Sequence, residues 1–293
     1  MKHKAGYITI VGNPNAGKST LLNAILGENL SIITPKAQTT RHRILGLLNA
    51  EHYQLVFSDT PGVIAPQYSL QESMMDYVRS AFEDADAFVY ITTPDGKKLK
   101  DEQLYSRLQK VAVPVIILVN KMDLCSQQQL EELVEYWHGE FPRAEILPLS
   151  ALNKVNIEPL VQRLVEHMPE GTAYFEKDAV SDRSERFFAA EMIREQILNF
   201  YQKEIPYAAQ VEVETFKDDV KLLSIAATIY VERPTQKSIV IGDKGHMIKR
   251  TGTAARKKME KFWGKKVFLE LFVKVRKNWR KNDNDLKQFG YDH

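Results

Sequence analysis

The stretch "YITIVGNPNAGKSTLLNAILG", residues 7–27, constrains the fold of this chain more than any other. A β-branched, strand-like run (7–12) enters GNPNAGKS (12–19), and an apolar-periodic helical run (18–27) follows, closed by Gly27. The loop fits G-x-x-x-x-G-K-[S/T] and lies where that pattern has a mechanism, after a strand and opening a helix. Glycines let backbone N–H groups turn inward around phosphate oxygens, and the helix N-terminus adds favourable partial charge. Lys18 is then placed to reach the outer phosphates, and the Ser19 hydroxyl to ligate Mg2+.

The residues that follow keep the same rhythm. "YQLVFSDTPG" (53–62), "ADAFVYITT" (85–93), "PVIILVNKMD" (114–123) and "AEILPLSA" (144–151) read as strands, separated by helical stretches such as 128–141 and 156–168. Near-continuous apolar strands alternating with helices imply an α/β domain, a mostly parallel sheet with helices on both faces. We place this domain at 1–170. Near Pro169 the rhythm breaks, and "PEGTAYFEKDAVSDRS" (169–184) is polar and weakly periodic, so 171–183 is expected to be a linker. A helix over 185–202 with Ser184 as N-cap, two alternating strands (208–219 and 221–233), a basic helix (252–264) and a last strand (265–275) make a smaller α+β domain, 184–293.

Charge divides along the same line. Residues 1–170 carry 16 Lys+Arg against 20 Asp+Glu, and the remainder 24 against 18. Between Lys237 and Lys281 the count is 15 to 3, which favours a polyanionic partner for the second domain. The lone Cys125, expected to be a packed or idle thiol, excludes an intrachain disulfide and suits a reducing cytosol. The longest apolar run, 111–119, is far shorter than a spanning helix, and the N-terminus enters a strand pattern without a signal-like region. A cytoplasmic protein is expected, with peripheral membrane contact through the basic half left open.

Three further motifs narrow the chemistry. "DTPG" (59–62) ends a strand, with Asp59 placed to hold Mg2+ through a water and the Gly62 N–H to sense a γ-phosphate. In "NKMD" (120–123), the Asp123 carboxylate suits guanine N1 and its exocyclic amine, while Asn120 and Lys121 brace the loop. "SAL" (150–152) offers a backbone N–H to guanine O6. Each lies at a strand's carboxyl end, where ligands of open α/β sheets bind. The expected GTP-binding set is Asn13, Asn15, Ala16, Gly17, Lys18, Ser19, Thr20, Asp59, Gly62, Asn120, Lys121, Asp123, Leu124, Ser150, Ala151 and Leu152.

This motif set resembles that of GTP-hydrolysing P-loop proteins. The resemblance makes "KAQTTRHRILG" (36–46) the first switch, in which Thr39 or Thr40 supplies the second hydroxyl to the metal. Thr40 is preferred because it directly precedes Arg41, giving Ser19, Thr40 and Asp59 as metal ligands. Val63 stands where other GTPases use a Gln to orient water, so intrinsic hydrolysis is expected to be slow. In the branch with an apolar residue there, an Asn such as Asn15 helps hold an activating K+; otherwise Asn15 is a turn residue. Lys18, Thr40, Gly62 and Asn15 are the catalytic candidates.

The tetrapeptide "GDKG" (242–245), alone, reads equally well as a tight turn. Its surroundings are basic and apolar, and single-stranded recognition by a KH module uses such a G-x-x-G against an apolar groove. The expected RNA-contact set is Ile241, Gly242, Asp243, Lys244, Gly245, Met247, Ile248, Lys249, Arg250 and Arg256. Asp243 places a negative charge beside the expected phosphate path. By local pattern "KSIVI" (237–241) is a strand; the KH resemblance makes it a short helix.

Taken with the helix–strand–strand layout and "IVIGDKG…IKRTGTAARKKME", the whole chain resembles the Era family of bacterial GTPases with a C-terminal KH domain. The resemblance implies a type II KH domain, GTP/GDP and Mg2+ as cofactors, and K+ as an activator. It implies binding of single-stranded RNA near the 3′ end of 16S rRNA and assistance to small ribosomal subunit assembly. GTP would order the switch around Thr40 and Gly62 and so reposition the KH domain. A monomer is expected, and no DNA partner. A metabolic P-loop kinase would lack NKMD and SA. A membrane-surface GTPase would have no use for the G-x-x-G and its groove.

Overall fold

Alternate residues of the central strands feed opposite faces of one sheet, which is why the strands read as unbroken apolar runs. The computed structural model describes residues 2–36 and 38–291; Ala37 of the expected switch and the domain limits Met1 and His293 lie outside them. These residues form two compact units, one of 2–67 with 71–182, the other of 183–291 with Tyr68–Leu70.

In the first unit, β1 (Lys4–Val11), α1 (Lys18–Leu26), β2 (Ile44–Asn49), β3 (Tyr53–Asp59), α2 (Ser69–Ala81) and β4 (Ala87–Thr92) are followed by α3 (Glu102–Lys110), β5 (Val115–Val119), α4 (Gln127–Glu140), β6 (Glu145–Pro148) and α5 (Ile157–His167). The sheet order is β2-β3-β1-β4-β5-β6, parallel except for β2. Ala87, Val89, Ile91, Ile116 and Leu118 pack with Ile8, Leu21 and Leu160 on one face. Phe88, Tyr90, Ile117 and Val119 pack with Met75, Leu108 and Trp137 on the other. Each Val, Leu, Ile, Phe or Met side chain among them contributes about 1.5–3 kcal/mol by leaving water. Local signals set the helix starts. Asp101 caps α3 by accepting from the Gln103 and Leu104 amides, and Ser126 with Gln129 forms a capping box on α4.

The expected switch loop ends earlier than the sequence suggested. Ile44–Gly46 already belong to β2, antiparallel to β3 with Ile44 opposite Asp59, because β3 offers an open edge that these apolar residues can pair and cover. Residues 171–182, most of the linker expected at 171–183, run along the first unit's edge. Leu47 N donates to Val180 O (3.0 Å), Ser181 Oγ to Leu45 O (2.6 Å), and Leu45 N to Asp182 Oδ1 (3.0 Å). Buried Gln54 accepts the Tyr174 and Phe175 amides. An otherwise unpaired sheet edge is thereby capped.

The second unit comprises α6 (Glu185–Phe200), α7 (Ile205–Ala208), β7 (Gln210–Asp218), β8 (Leu222–Val231), α8 (Pro234–Ile241), α9 (His246–Trp263), β9 (Lys266–Val275) and α10 (Asp283–Gln288). Ser184 accepts the Phe187 amide as N-cap of α6. β7 and β8 are antiparallel, whereas β8 and β9 are parallel, which requires the crossover supplied by α8 and α9. Residues 237–241 are helical despite their strand-like composition. Pro234 presets the first turn, Gln236 Oε1 accepts the Glu232 and Arg233 amides, and Val240 is buried. The basic helix starts at His246, earlier than its glycine-rich local pattern at 252 suggests.

Candidate functional site

The loop after β1 turns through two residues of positive φ, Asn15 (63°) and Gly17 (107°). A Cβ on Gly17 would lie 2.3 Å from Asn120 Nδ2, so only glycine fits beside that amide. Lys18 Nζ donates to the Gly12 and Asn13 carbonyls, both at 3.1 Å. Burial pushes its ammonium down to about 8, with Asp59 partly opposing the shift. Burial likewise holds the Asp59 carboxyl above its ordinary range, against Lys18 and the Ser19 hydroxyl.

Three oxygens from three elements meet here. Ser19 Oγ lies 2.9 Å from Thr40 Oγ1 and donates to Asp59 Oδ2 at 2.9 Å. Thr39 is turned elsewhere, its hydroxyl 2.8 Å from Thr34 Oγ1 and bonded to Lys36 O. Buried Asp59 Oδ1 finds no hydrogen-bond partner among the described residues. Two hydroxyls, a carboxylate and an unsatisfied carboxylate oxygen form a hard, all-oxygen donor set that fits Mg2+ held jointly by protein and phosphate.

A cavity of about 500 Å3 opens above these groups. Asn15, Gly17, Lys18, Ser19, Thr20, Thr40, Gly62, Asn120, Lys121, Asp123, Leu124, Ser150 and Leu152 line it. Asn120 ties the walls together, donating to Ala16 O (2.8 Å) and accepting the Ala151 amide (3.0 Å). Lys121 Nζ donates to Asn15 O at 3.0 Å. Gly62 passes so close to the phosphate loop that a Cβ would sit 2.9 Å from Pro14 Cα. Leu124 and Leu152, 71% and 79% exposed, form an apolar rim where a base can lie against them.

Other expected residues make contacts outside the cavity. Asn13 turns toward residues 98–100, donating to Lys98 O (2.8 Å) and accepting the Lys100 amide (3.1 Å). Ala16 and Ala151 are buried behind the wall, and in this conformation the Ala151 N–H serves Asn120 rather than the cavity. Asn15 Nδ2 donates to Pro35 O at 2.9 Å. Val63 is wholly buried among Val11, Met75 and Val78, so its side chain meets apolar core and not the cavity. Ile32–Pro35 line the cavity and were missed from sequence, because "SIITP" has no motif and no period to mark it.

In the second unit, Asp243–Gly245 make a single tight turn between α8 and α9. Gly242 has φ 74° and ψ 175°, and a Cβ there would lie 2.7 Å from Met247 Cγ. The Tyr201 hydroxyl donates to Val240 O (2.8 Å) and lies 2.9 Å from Thr251 Oγ1, tying both helices beneath the turn to the end of α6. Ile248, Lys249, Gly252 and Arg256 of α9 face Leu269 and Leu271 of β9 across a groove of about 270 Å3. Asp243 and Lys244 are exposed at the turn, whereas Met247 packs under Gly242 and Ile241 ends α8. Arg250 points away from this groove, its guanidinium 4.2 Å from the Phe200 ring centroid.

Comparison with known proteins matches this geometry domain by domain. Residues 7–121 match a family described as 50S ribosome-binding GTPase, and residues 204–280 match the KH domain family. The chain is 41% identical to GTPase Era of Caldanaerobacter subterraneus subsp. tengcongensis over 294 residues, covering 99% of both chains. It is 45% identical to GTPase Era of Syntrophus aciditrophicus, covering 99% of this chain and 95% of that one. The solved structure of Era in complex with MgGDPNP and nucleotides 1506–1542 of 16S ribosomal RNA superposes with a TM-score of 0.94 at 37% identity, covering 99% of this chain and 100% of that one. A variant of Aquifex aeolicus Era bound to GDP·AlF4− superposes equally well, with the same identity and coverage. With its motifs in order around one cavity, a KH unit following them in the sequence and end-to-end similarity of this degree, the chain belongs to the Era family of GTPases.

Proposed function

We propose that this GTPase binds GTP in the 500 Å3 cavity and uses it to control RNA binding by its KH unit, as an assembly factor for the small ribosomal subunit. The observation that carries the nucleotide site is the meeting of Thr40 and Asp59 oxygens with Ser19 Oγ, each at 2.9 Å, beside buried Lys18. Lys18 holds the outer phosphates, and the Gly62 N–H and Thr40 close on the γ-phosphate. Asp123 selects guanine, with Asn120 and Lys121 fixing its loop to the phosphate loop. Mg2+ bound by Ser19, Thr40 and Asp59 neutralises phosphate charge. Because Val63 is buried, no side chain at that position orients the attacking water, and unassisted turnover is slow. K+ held near Asn15 is the activator we favour; equal GTPase rates in NaCl and KCl buffers would exclude it.

Gly242–Gly245 with the adjoining groove hold single-stranded RNA, with phosphates over the turn and bases against Ile248, Leu269 and Leu271. The Era complex noted above carries nucleotides 1506–1542 of 16S ribosomal RNA, which supports the 3′ end of small-subunit rRNA as the target. That RNA far exceeds the ~4 nucleotides that a KH groove clamps. No helix among the described residues is long and apolar enough to cross a membrane, and we place the protein in the cytoplasm, as a monomer.

The test is binding of an rRNA 3′-end oligonucleotide with GTP or GDP over a salt series. GTP-enhanced, sequence-selective binding is expected. A steep salt dependence without sequence preference would reduce the second unit to a generic polyanion binder. Anionic vesicles, run in parallel, read out peripheral membrane association.

A further inference from the structure

α9 carries two basic faces, and the groove uses only one. Ile248, Gly252 and Arg256 look onto β9, whereas His246, Arg250 and Lys257 lie further round the helix. With Phe200 they line a second, shallow depression of about 450 Å3. Lys249 and Thr253 line both depressions and form the ridge between them.

We propose that this second depression is a further RNA-contact site, which takes the strand as it leaves the groove across the Lys249–Thr253 ridge. The inference rests on the reading of this unit as RNA-binding. Its first support is charge. Several cations elsewhere on this unit are neutralised: Arg256 by Glu260, Lys258 by Glu195, Lys265 by Asp218 and Lys274 by Glu214. Lys249 and Lys257 pair with no carboxylate among the described residues, and no acidic side chain lines the depression. Unneutralised cations around a concave surface favour a polyanion.

The second support is shape. The Arg250 guanidinium lies 4.2 Å from the Phe200 ring centroid, so a flat cation already rests against an aromatic ring. Unpaired bases stack on aromatic rings and guanidinium planes, at about 1–3 kcal/mol per base on an aromatic platform. Lys249 and Lys257 then flank the plane where phosphates on either side of a stacked base would lie. A lipid headgroup would use the cations but not the stacking plane, and continuity with the groove favours one RNA strand over a separate ligand.

The experiment uses full-length protein and two labelled RNAs from the 3′ end of small-subunit rRNA, one of groove length and one extended by several nucleotides. Arg250→Gln with Lys257→Gln should leave the short RNA's affinity unchanged. Affinity for the long RNA should fall about tenfold, and the slope of log K against log salt by about 1.4, the value for two phosphate contacts to a single strand. Arg250→Lys, which keeps the charge and loses the plane, should weaken only the long RNA, and by less. Unchanged thermal unfolding and GTPase rate would show that the fold is intact. Equal losses for both RNAs, or no loss for either, would overturn the proposal. Loss of binding to phosphatidylglycerol vesicles with long-RNA binding intact would also overturn it, assigning the depression to a membrane. Wild-type protein that binds neither RNA would overturn the RNA reading itself.

Discussion

Substituting Gly242 and Gly245 separately should give unequal results, although the G-x-x-G pattern treats the two alike. Gly242 has φ 74° and ψ 175°, a region open essentially to glycine alone, where other residues cost about 1–3 kcal/mol. Its added Cβ would also meet Met247 Cγ at 2.7 Å and Met247 N at 2.9 Å. The backbone nitrogen cannot swing aside as a side chain could, and overpacking of this kind adds about 1–3 kcal/mol. Gly242→Ala therefore carries about 2–6 kcal/mol. Gly245 has φ 77° and ψ 12°, and the nearest atom that an added Cβ would meet, Ile248 Cγ2, stands 4.0 Å off. Gly245→Ala then carries only the left-handed backbone cost of about 1–2 kcal/mol. If the turn relaxes in the unbound protein, RNA must restore it, and the strain appears as lost affinity. At 1.4 kcal/mol per tenfold, that is at least about 30-fold for Gly242→Ala and about 5- to 30-fold for Gly245→Ala. If the turn does not relax, the same free energy appears as a lower Tm. Fluorescence anisotropy with a labelled rRNA 3′-end oligonucleotide, together with thermal unfolding, measures both portions, and GTP hydrolysis without RNA should not change. Should Gly245→Ala prove the more damaging, or Gly242→Ala lose less than about 1 kcal/mol in affinity and stability combined, the reasoning fails.

Three further outcomes test the nucleotide site. Asn120→Ala removes the bonds to Ala16 O and Ala151 N and strands both groups, at about 1–3 kcal/mol each, so calorimetry should show nucleotide affinity reduced at least tenfold. Asp123→Asn should weaken guanine nucleotides and favour xanthine nucleotides in competition binding; retained GTP preference would remove Asp123 from the base site. Lys18 titrates at about 8, and phosphate favours its charged form, so nucleotide binding should take up a proton above that pH and weaken as pH rises. Titrations at about pH 8.5–9 in buffers of different ionisation enthalpy should therefore give different apparent enthalpies, and identical enthalpies would refute the assignment.

Much of the architecture was legible because its signals are local. The buried strands β4 and β5 are apolar at every position but Thr92, and the cap Ser184 sits beside the amide that it satisfies. The start of the antiparallel β2 was hidden inside a stretch read as loop, because edge pairing with β3 and not internal period makes it a strand. Residues 171–182 look like a linker by composition, yet their backbone bonds to β2 and Gln54 hold them along the first unit. Among the candidate site residues, Arg250 is the clearest case of information absent from the sequence. Spacing along α9 puts it near Lys249, but only the packing of Phe200 at the end of α6 turns it away from the groove.

By itself the sequence determined the chemistry that runs along contiguous backbone. A phosphate loop, a base-reading tetrapeptide and a glycine turn each recognise through neighbouring residues, so their order and spacing carry the meaning. Tertiary structure decided what depends on distance between remote positions. Ser19, Thr40 and Asp59 share no local pattern, yet the return of β2 and β3 beside α1 brings the Thr40 and Asp59 oxygens each to 2.9 Å from Ser19 Oγ, with Thr39 turned toward Thr34. Side-chain direction is fixed by what packs behind it, and that is settled only when the core closes.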